Sequence, residues 1–166
     1  MSTFRRTSYS RAAQRGLTLI EVMVAVLVMS IGLLGMASLQ LNALRGNTGA
    51  FWRSQATWFA YDMSDRLRSN QPGVASGAYD ALDTNGATDP GCITTGCTAT
   101  DMADYDAFAW GQMLAALPAG QGTVTRNGDL FTVRVYWDDA RSGATGLGCD
   151  PSDPTDLTCI SITVRP

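Results

Sequence analysis

Between Leu17 and Leu44 the chain reads LTLIEVMVAVLVMSIGLLGMASLQLNAL, a run with a single ionisable side chain, Glu21. A stretch this long and apolar on every side is long enough to cross about 30 Å of hydrocarbon as a helix. Beyond Leu44 the pattern narrows from an all-round apolar surface to a stripe. Trp52, Ala56, Phe59, Met63 and Leu67 recur at spacings of three and four, while Asp62/Arg66 and Asp65/Arg68 sit at the i,i+4 and i,i+3 spacings of helical ion pairs. No proline interrupts the chain between Leu17 and Gln71. One helix is therefore expected from about Leu17 to about Asn70, roughly 80 Å at 1.5 Å per residue, ended by Gln71-Pro72-Gly73. Gly32, Gly35, Gly46 and Gly49 each weaken it by about 1 kcal/mol relative to alanine. They mark either sites of local unwinding or close packing of helices through small residues.

After this helix the composition turns to Gly, Asp, Thr and Pro, as in VASGAYDALDTNGATDPGCITTGC, which reads as a long loop. A helical pattern returns over Asp101–Leu117, started by Thr100 or Asp101 and stopped by Pro118 and Gly120. In GTVTRNGDLFTVRVYW, Asn127-Gly128 separates two β-rich runs and signals a hairpin. Phe131, Val133, Val135 and Trp137 alternate with Thr132, Arg134 and Tyr136, giving one buried face. CISITVRP supplies a last strand with Ile160, Ile162 and Val164 towards the core. These elements make an α+β chain: a long N-terminal helix with its second half packed on a small antiparallel sheet of three strands.

Charge adds an orientation. The chain has no Lys, and four of its twelve Arg (Arg5, Arg6, Arg11 and Arg15) precede the apolar run. The eight that remain face fifteen Asp and Glu, a balance of −7 from Leu17 onward. A basic stub on an acidic bulk is the positive-inside arrangement, with the stub cytoplasmic and the rest across the membrane. The same balance argues against nucleic-acid binding as a main role, since no basic face is available for phosphates. A cleaved secretory signal would end its apolar region at small residues, whereas here the helical pattern continues through Trp52 to Leu67.

Catalytic chemistry has little to work with. Without His, neither a Ser-His-Asp nor a Cys-His arrangement can be built. Asp104/Asp106 and Asp138/Asp139 are spaced as paired carboxylates or a calcium site, but acidic loops of this composition ordinarily serve as solvated turns, and no EF-hand spacing or phosphate loop occurs. Cys92, Cys97, Cys149 and Cys159 form an even set in an exported domain, which argues disulfides. Three connectivities are open, with the sequence-local pairing favoured. A zinc site competes, but the absence of His and the long Cys149-to-Cys159 spacing count against it. No metal or cofactor is implied.

Glu21 needs a reason to sit near the start of a membrane span, where a charge costs up to about 2.5–3.5 kcal/mol at the helix centre and less towards its ends. Gly16-Leu17-Thr18-Leu19-Ile20-Glu21 resembles the prepilin processing motif of type IV pilins and type II secretion pseudopilins, with Leu17 where that family usually has Phe. The segments IGLLGMASLQ, SQATWFAYDMSDRLRSN and DAFAWGQMLAALPAGQG resemble PilV-type minor pilins in particular. The resemblance implies the type IV pilin fold, cleavage after Gly16 by a prepilin peptidase, and N-methylation of Leu17. It divides the chain into a basic leader (1–16), a transmembrane and assembly helix (17–44), the amphipathic half of that helix (45–71) and a head domain (72–166). It further implies a single-pass inner-membrane protein with a cytoplasmic N-terminus, which moves to the pilus at the cell surface. Its partners would be other minor pilins and the major pilin, met through the N-terminal helix, and Glu21 would pair with a neighbour's amino terminus. The family often staples its C-terminal loop, where Cys149 and Cys159 fall. The rival readings are a type II secretion pseudopilin and a membrane-tethered binding domain that joins no fibre.

Cleavage after Gly16 frees an α-amino group on Leu17, largely cationic at neutral pH with a pKa of about 7.7–8.0. Lacking a Cβ, Gly16 lets an extended backbone enter a peptidase cleft closely. Gly16→Val is expected to leave the precursor uncut, as N-terminal sequencing of the membrane-extracted protein would show.

Overall fold

The computed structural model describes residues 18–166. The chain divides into two units at Leu44/Arg45, and helix α1 (Leu19–Ser69) runs through both. It is continuous through Gly32, Gly35, Gly46 and Gly49. In the first unit its apolar side chains are exposed on all sides, from Leu19 to Leu44.

In the second unit the helix has an inside and an outside. Ala56, Ala60, Met63 and Leu67 are buried at helical spacing, and Ser64 buries its hydroxyl by donating to the Ala60 carbonyl at 2.9 Å. Both expected ion pairs form, Arg66 Nε to Asp62 at 2.7 Å and Arg68 to Asp65 at 3.0 Å. Helix α1 stops at Ser69, and Asn70 leaves helical geometry. The chain then re-forms a short helix α2 (Gln71–Ala75), where breaking residues were expected. Pro72 is tolerated because it lies in the first turn, whose N–H groups have no intrahelical partner. Asn70 caps this helix by accepting from the Gly73 N–H at 3.1 Å.

The region expected to be one long loop contains two short elements, strand β1 (Ala81–Asp83) and helix α3 (Cys92–Thr95). Helix α4 (Ala99–Leu114) begins earlier than expected. Thr98, rather than Thr100 or Asp101, is the N-cap, and it exchanges hydrogen bonds with Asp101 in a capping box.

Strands β2 (Gln121–Asn127), β3 (Leu130–Trp137) and β4 (Thr158–Val164) follow, and the sheet has four antiparallel strands in the order β1-β2-β3-β4. The β2–β3 turn is Gly128-Asp129, closing on Asn127↔Leu130, one residue later than the Asn-Gly pair suggests. Of the two turn residues only Gly128 has positive φ, at 61°, the conformation a type II′ turn requires of its first residue.

One core joins the α1 stripe to Ala103, Ala107, Trp110 and Leu114 of α4 and to Leu82, Val124, Phe131, Val133, Val135 and Trp137 of the sheet. Trp110 is fully buried, and its indole N–H donates to the Phe59 carbonyl at 2.9 Å, tying α4 to α1. Gly122 is where the sheet passes under that ring: a Cβ there would run into Trp110 and into Leu114 Cδ1. On the opposite side of β3, Tyr136 is buried rather than exposed, covered by Ala144 and Leu157 of the C-terminal loop. Truncating the hub, Trp110→Ala, is expected to cost about 3–5 kcal/mol of unfolding free energy, measurable by denaturant titration.

Candidate functional site

Gly16 and Leu17 lie outside the described residues. The described part of the motif starts at Thr18, which holds the N-cap position of α1. Glu21 is then the third helical residue, and its N–H donates to the Thr18 carbonyl at 3.0 Å and to the Thr18 hydroxyl at a longer 3.4 Å. Thr-x-x-Glu before an apolar run is a capping-box pattern, so Glu21 stands in the first turn, where the helix dipole favours an anion by about 0.3–1 kcal/mol. No Arg or Lys occurs in residues 18–44, so this segment has no cationic side chain to offer Glu21. The same helix is long and apolar enough to cross a membrane.

The predicted cysteines come together as two local pairs. Cys92 and Cys97 are bonded with Cα atoms 4.9 Å apart, and Cys149 and Cys159 with Cα atoms 5.6 Å apart, both within the usual disulfide range. The first closes the turn of α3 beside the start of α4. The second pins the C-terminal loop to the start of β4. Inside that loop, Asp150 accepts from the Ser152 N–H at 2.8 Å and hydroxyl at 2.6 Å. Asp153 accepts from the Thr155 N–H at 2.9 Å and hydroxyl at 2.7 Å. These bonds hold both carboxyls below the usual carboxylate range.

The carboxylate pairs singled out in the sequence do not act as pairs. Asp138 accepts from the backbone N–H groups of Ser142 at 3.0 Å and Gly143 at 2.8 Å, while Asp139 meets the Trp137 indole at 3.4 Å. Burial pushes the Asp138 carboxyl up, but the backbone bonds outweigh it and the net shift is downward. Among the described residues no group of His, Cys, Asp or Glu is placed to hold a metal ion.

Asp106 belongs to a different assembly, one the sequence pattern does not reveal. Its carboxylate accepts from Arg66 Nη1 at 3.0 Å and from the Tyr79 hydroxyl at 2.5 Å, and the Asn70 amide donates to Tyr79 Oη at 3.0 Å and to the Ala99 carbonyl at 2.7 Å. This network ties the end of α1 to α2, to the turn before β1 and to α4. Burial alone would lower the Arg66 pKa, but its bonds to Asp62 and Asp106 outweigh this and raise it. Burial raises the Tyr79 pKa, and the bond to Asp106 raises it further. The outer side of α1 in this unit is apolar and exposed at Phe51, Trp58 and Tyr61.

Residues 11–37 match the family model of the prokaryotic N-terminal methylation motif, and residues 38–108 match that of type IV pilin Tt1218. The two matches adjoin, covering the apolar helix, its amphipathic continuation and the first part of α4. No curated protein and no solved structure matches the chain. A long apolar N-terminal helix carrying a methylation motif, continued as the spine of a small antiparallel sheet, defines a membrane-anchored fibre subunit. The chain belongs to the type IV pilin superfamily, with its long helix and α+β head. It is a pilin subunit, processed by a prepilin peptidase and assembling with other pilins, and it is a structural protein rather than an enzyme.

The Tyr79 shift has a definite sign. The folded pKa lies above the unfolded value of about 10, so the stability this hydroxyl contributes is fully present below pH 10 and is lost as pH rises through the folded pKa. Tyr79→Phe is expected to lower stability at pH 7 by about 1 kcal/mol and to make the alkaline decline shallower. Thermal unfolding from pH 7 to 11 would check both effects.

Proposed function

We propose that this chain is a minor pilin of the PilV type, made in the bacterial inner membrane with residues 1–16 as a cytoplasmic leader. It is cut after Gly16, methylated on Leu17 and incorporated into a type IV pilus, or into the complex that initiates one. Residues 17–44 serve first as the membrane anchor and then as the assembly helix, 45–71 as its amphipathic half, and 72–166 as the head. The PilV-like segments at Ile31–Gln40 and Ser54–Asn70 support a minor-pilin role over a type II secretion pseudopilin.

The observation that carries this reading is the lone carboxylate of Glu21, in the first turn of an apolar helix that has no cationic side chain through residue 44. In the bilayer interface it is partly solvated and lies four residues from the Leu17 amine. On moving into a bundle of apolar helices it needs a cation, and the amino terminus of a neighbouring subunit supplies one. Methylation leaves that charge in place. Glu21 is then a positioning residue, which accepts or rejects the axial register of the neighbour.

Glu21→Gln keeps the size and hydrogen-bonding capacity and removes the charge, so membrane insertion is expected to be at least as easy. The variant should be cut normally and accumulate in the membrane, with its recovery alongside partner pilins reduced by about tenfold or more, a free-energy change of about 1.4 kcal/mol or above. Fractionation with co-immunoprecipitation separates the two steps. Wild-type incorporation of a correctly cut variant would leave Glu21 an interfacial carboxylate with no role in assembly.

A further inference from the structure

The two edges of the sheet are guarded differently. Strand β1 is only three residues long, whereas β4 runs for seven as TCISITV, with no charged residue and no proline. Natural edge strands are ordinarily blunted by charge, proline, bulges or brevity. The hydrogen-bonding parity of β4 follows from the strands before it. The Arg126 N–H donates to the Asp80 carbonyl on the β1 side, and the Gly122 carbonyl accepts from the Thr84 N–H on that side. The odd residues of β2 therefore bond the even residues of β3, which leaves Phe131, Val133, Val135 and Trp137 to bond β4. Their partners are Val164, Ile162, Ile160 and Thr158. The backbone groups of Cys159, Ser161 and Thr163 point out of the sheet, and among the described residues nothing in the chain pairs with them. On the helix side of the same strand Ile160, Ile162 and Val164 are only half-buried, although every residue opposite them on β3 is buried.

We infer that β4 is a docking edge that accepts an extended segment of a different protein as a fifth, antiparallel strand. A second copy of this chain is the wrong occupant. Joining β4 to β4 antiparallel turns the second molecule half a revolution about an axis normal to the sheet. That reverses the 45–69 part of α1, which packs on the sheet, whereas copies carried in one fibre through the same helix share its direction.

The edge also specifies the chemistry of its partner. Arg165, in an exposed ion pair with Asp129 at 3.6 Å, follows β4, and Asp153 and Asp156, each accepting one backbone N–H of its own loop, precede it. An antiparallel strand therefore fits with an acidic residue at its N-terminal end and a basic one at its C-terminal end. Between them, apolar β-branched residues would extend the Ile160–Ile162–Val164 row and alternate with small polar ones beside Ser161 and Thr163. Main-chain bonds supply affinity in such strand addition and the alternating side chains supply selectivity.

The probe is the acetylated, fluorescently labelled peptide Asp-Val-Thr-Val-Thr-Val-Thr-Val-Arg, added to the full chain in detergent micelles and read by anisotropy. Methylating the backbone nitrogens of its Thr residues blocks the bonds that face Cys159, Ser161 and Thr163, and is expected to weaken binding about tenfold or more. Methylating those of its Val residues, which face away, is expected to leave binding within about twofold. Exchanging the terminal Asp and Arg should weaken it. Thr163→Pro removes an outward N–H and no β3–β4 bond, so it should abolish peptide binding while the far-UV circular dichroism stays unchanged. No binding of the parent peptide up to about 1 mM, or equal binding of the two methylated forms, would overturn the proposal. The methylated peptides decide it even if the proline variant fails to fold, and because the edge lies far along the chain from Glu21, either result leaves the assembly role of that carboxylate standing.

Discussion

One helix has to satisfy two media, and this constraint organises everything else in the chain. Along residues 19–44 every face of α1 is apolar and exposed, a surface that only hydrocarbon or other helices can solvate. From Arg45 onward the same helix has to hold a water-soluble head, and it does so with a stripe of Ala56, Ala60, Met63 and Leu67 under the sheet. The small alanines in that stripe let Trp110 and the β3 side chains approach the helix closely. The large residues, Met63 and Leu67, fill the space towards its end.

What the apolar stripe cannot do is fix where the helix ends and how the following chain leaves it. That task falls to the Arg66–Asp106–Tyr79–Asn70 network, which spans α1, α2, the turn before β1 and α4. Removing one member of this partly buried set leaves the others without a partner, a loss of about 1–3 kcal/mol. The C-terminal loop is organised more locally, by Asp-Pro-Ser and Asp-Pro-Thr turns whose carboxylates bond their own backbone, and by the Cys149–Cys159 bond at its base.

Legibility in the sequence followed periodicity. Helix α1, the β2–β3 hairpin and β4 announce themselves through long, regular repeats, and the side chains these repeats turn inward pack on or against the core. Strand β1 does not, because three residues of Ala81-Leu82-Asp83 carry one inward side chain and no alternation to detect. The α4 start was misplaced because Thr98 and Thr100 are equally good caps in isolation, and only Asp101 three residues after Thr98 breaks the tie. Tyr136 reads as a surface residue until a loop from farther along the chain covers it. Asp106 shows the same limit at the level of sites: an acid in a helix reads as solvated, and only the fold brings Arg66 and Tyr79 to it. The N-terminal methylation motif, matched over residues 11–37, was legible because it is local. Thr18 as the cap of α1 was also within reach, through its spacing of three from Glu21.

The central claim is that this helix begins its working life as a new, charged amino terminus at Leu17, with Glu21 four residues away. The intact mass of the protein extracted from membranes and pili reports that directly. The account predicts a chain lacking residues 1–16 and carrying one additional methyl group. A full-length mass in the pilus-associated fraction, or a cleavage site within or beyond the apolar run, would contradict it.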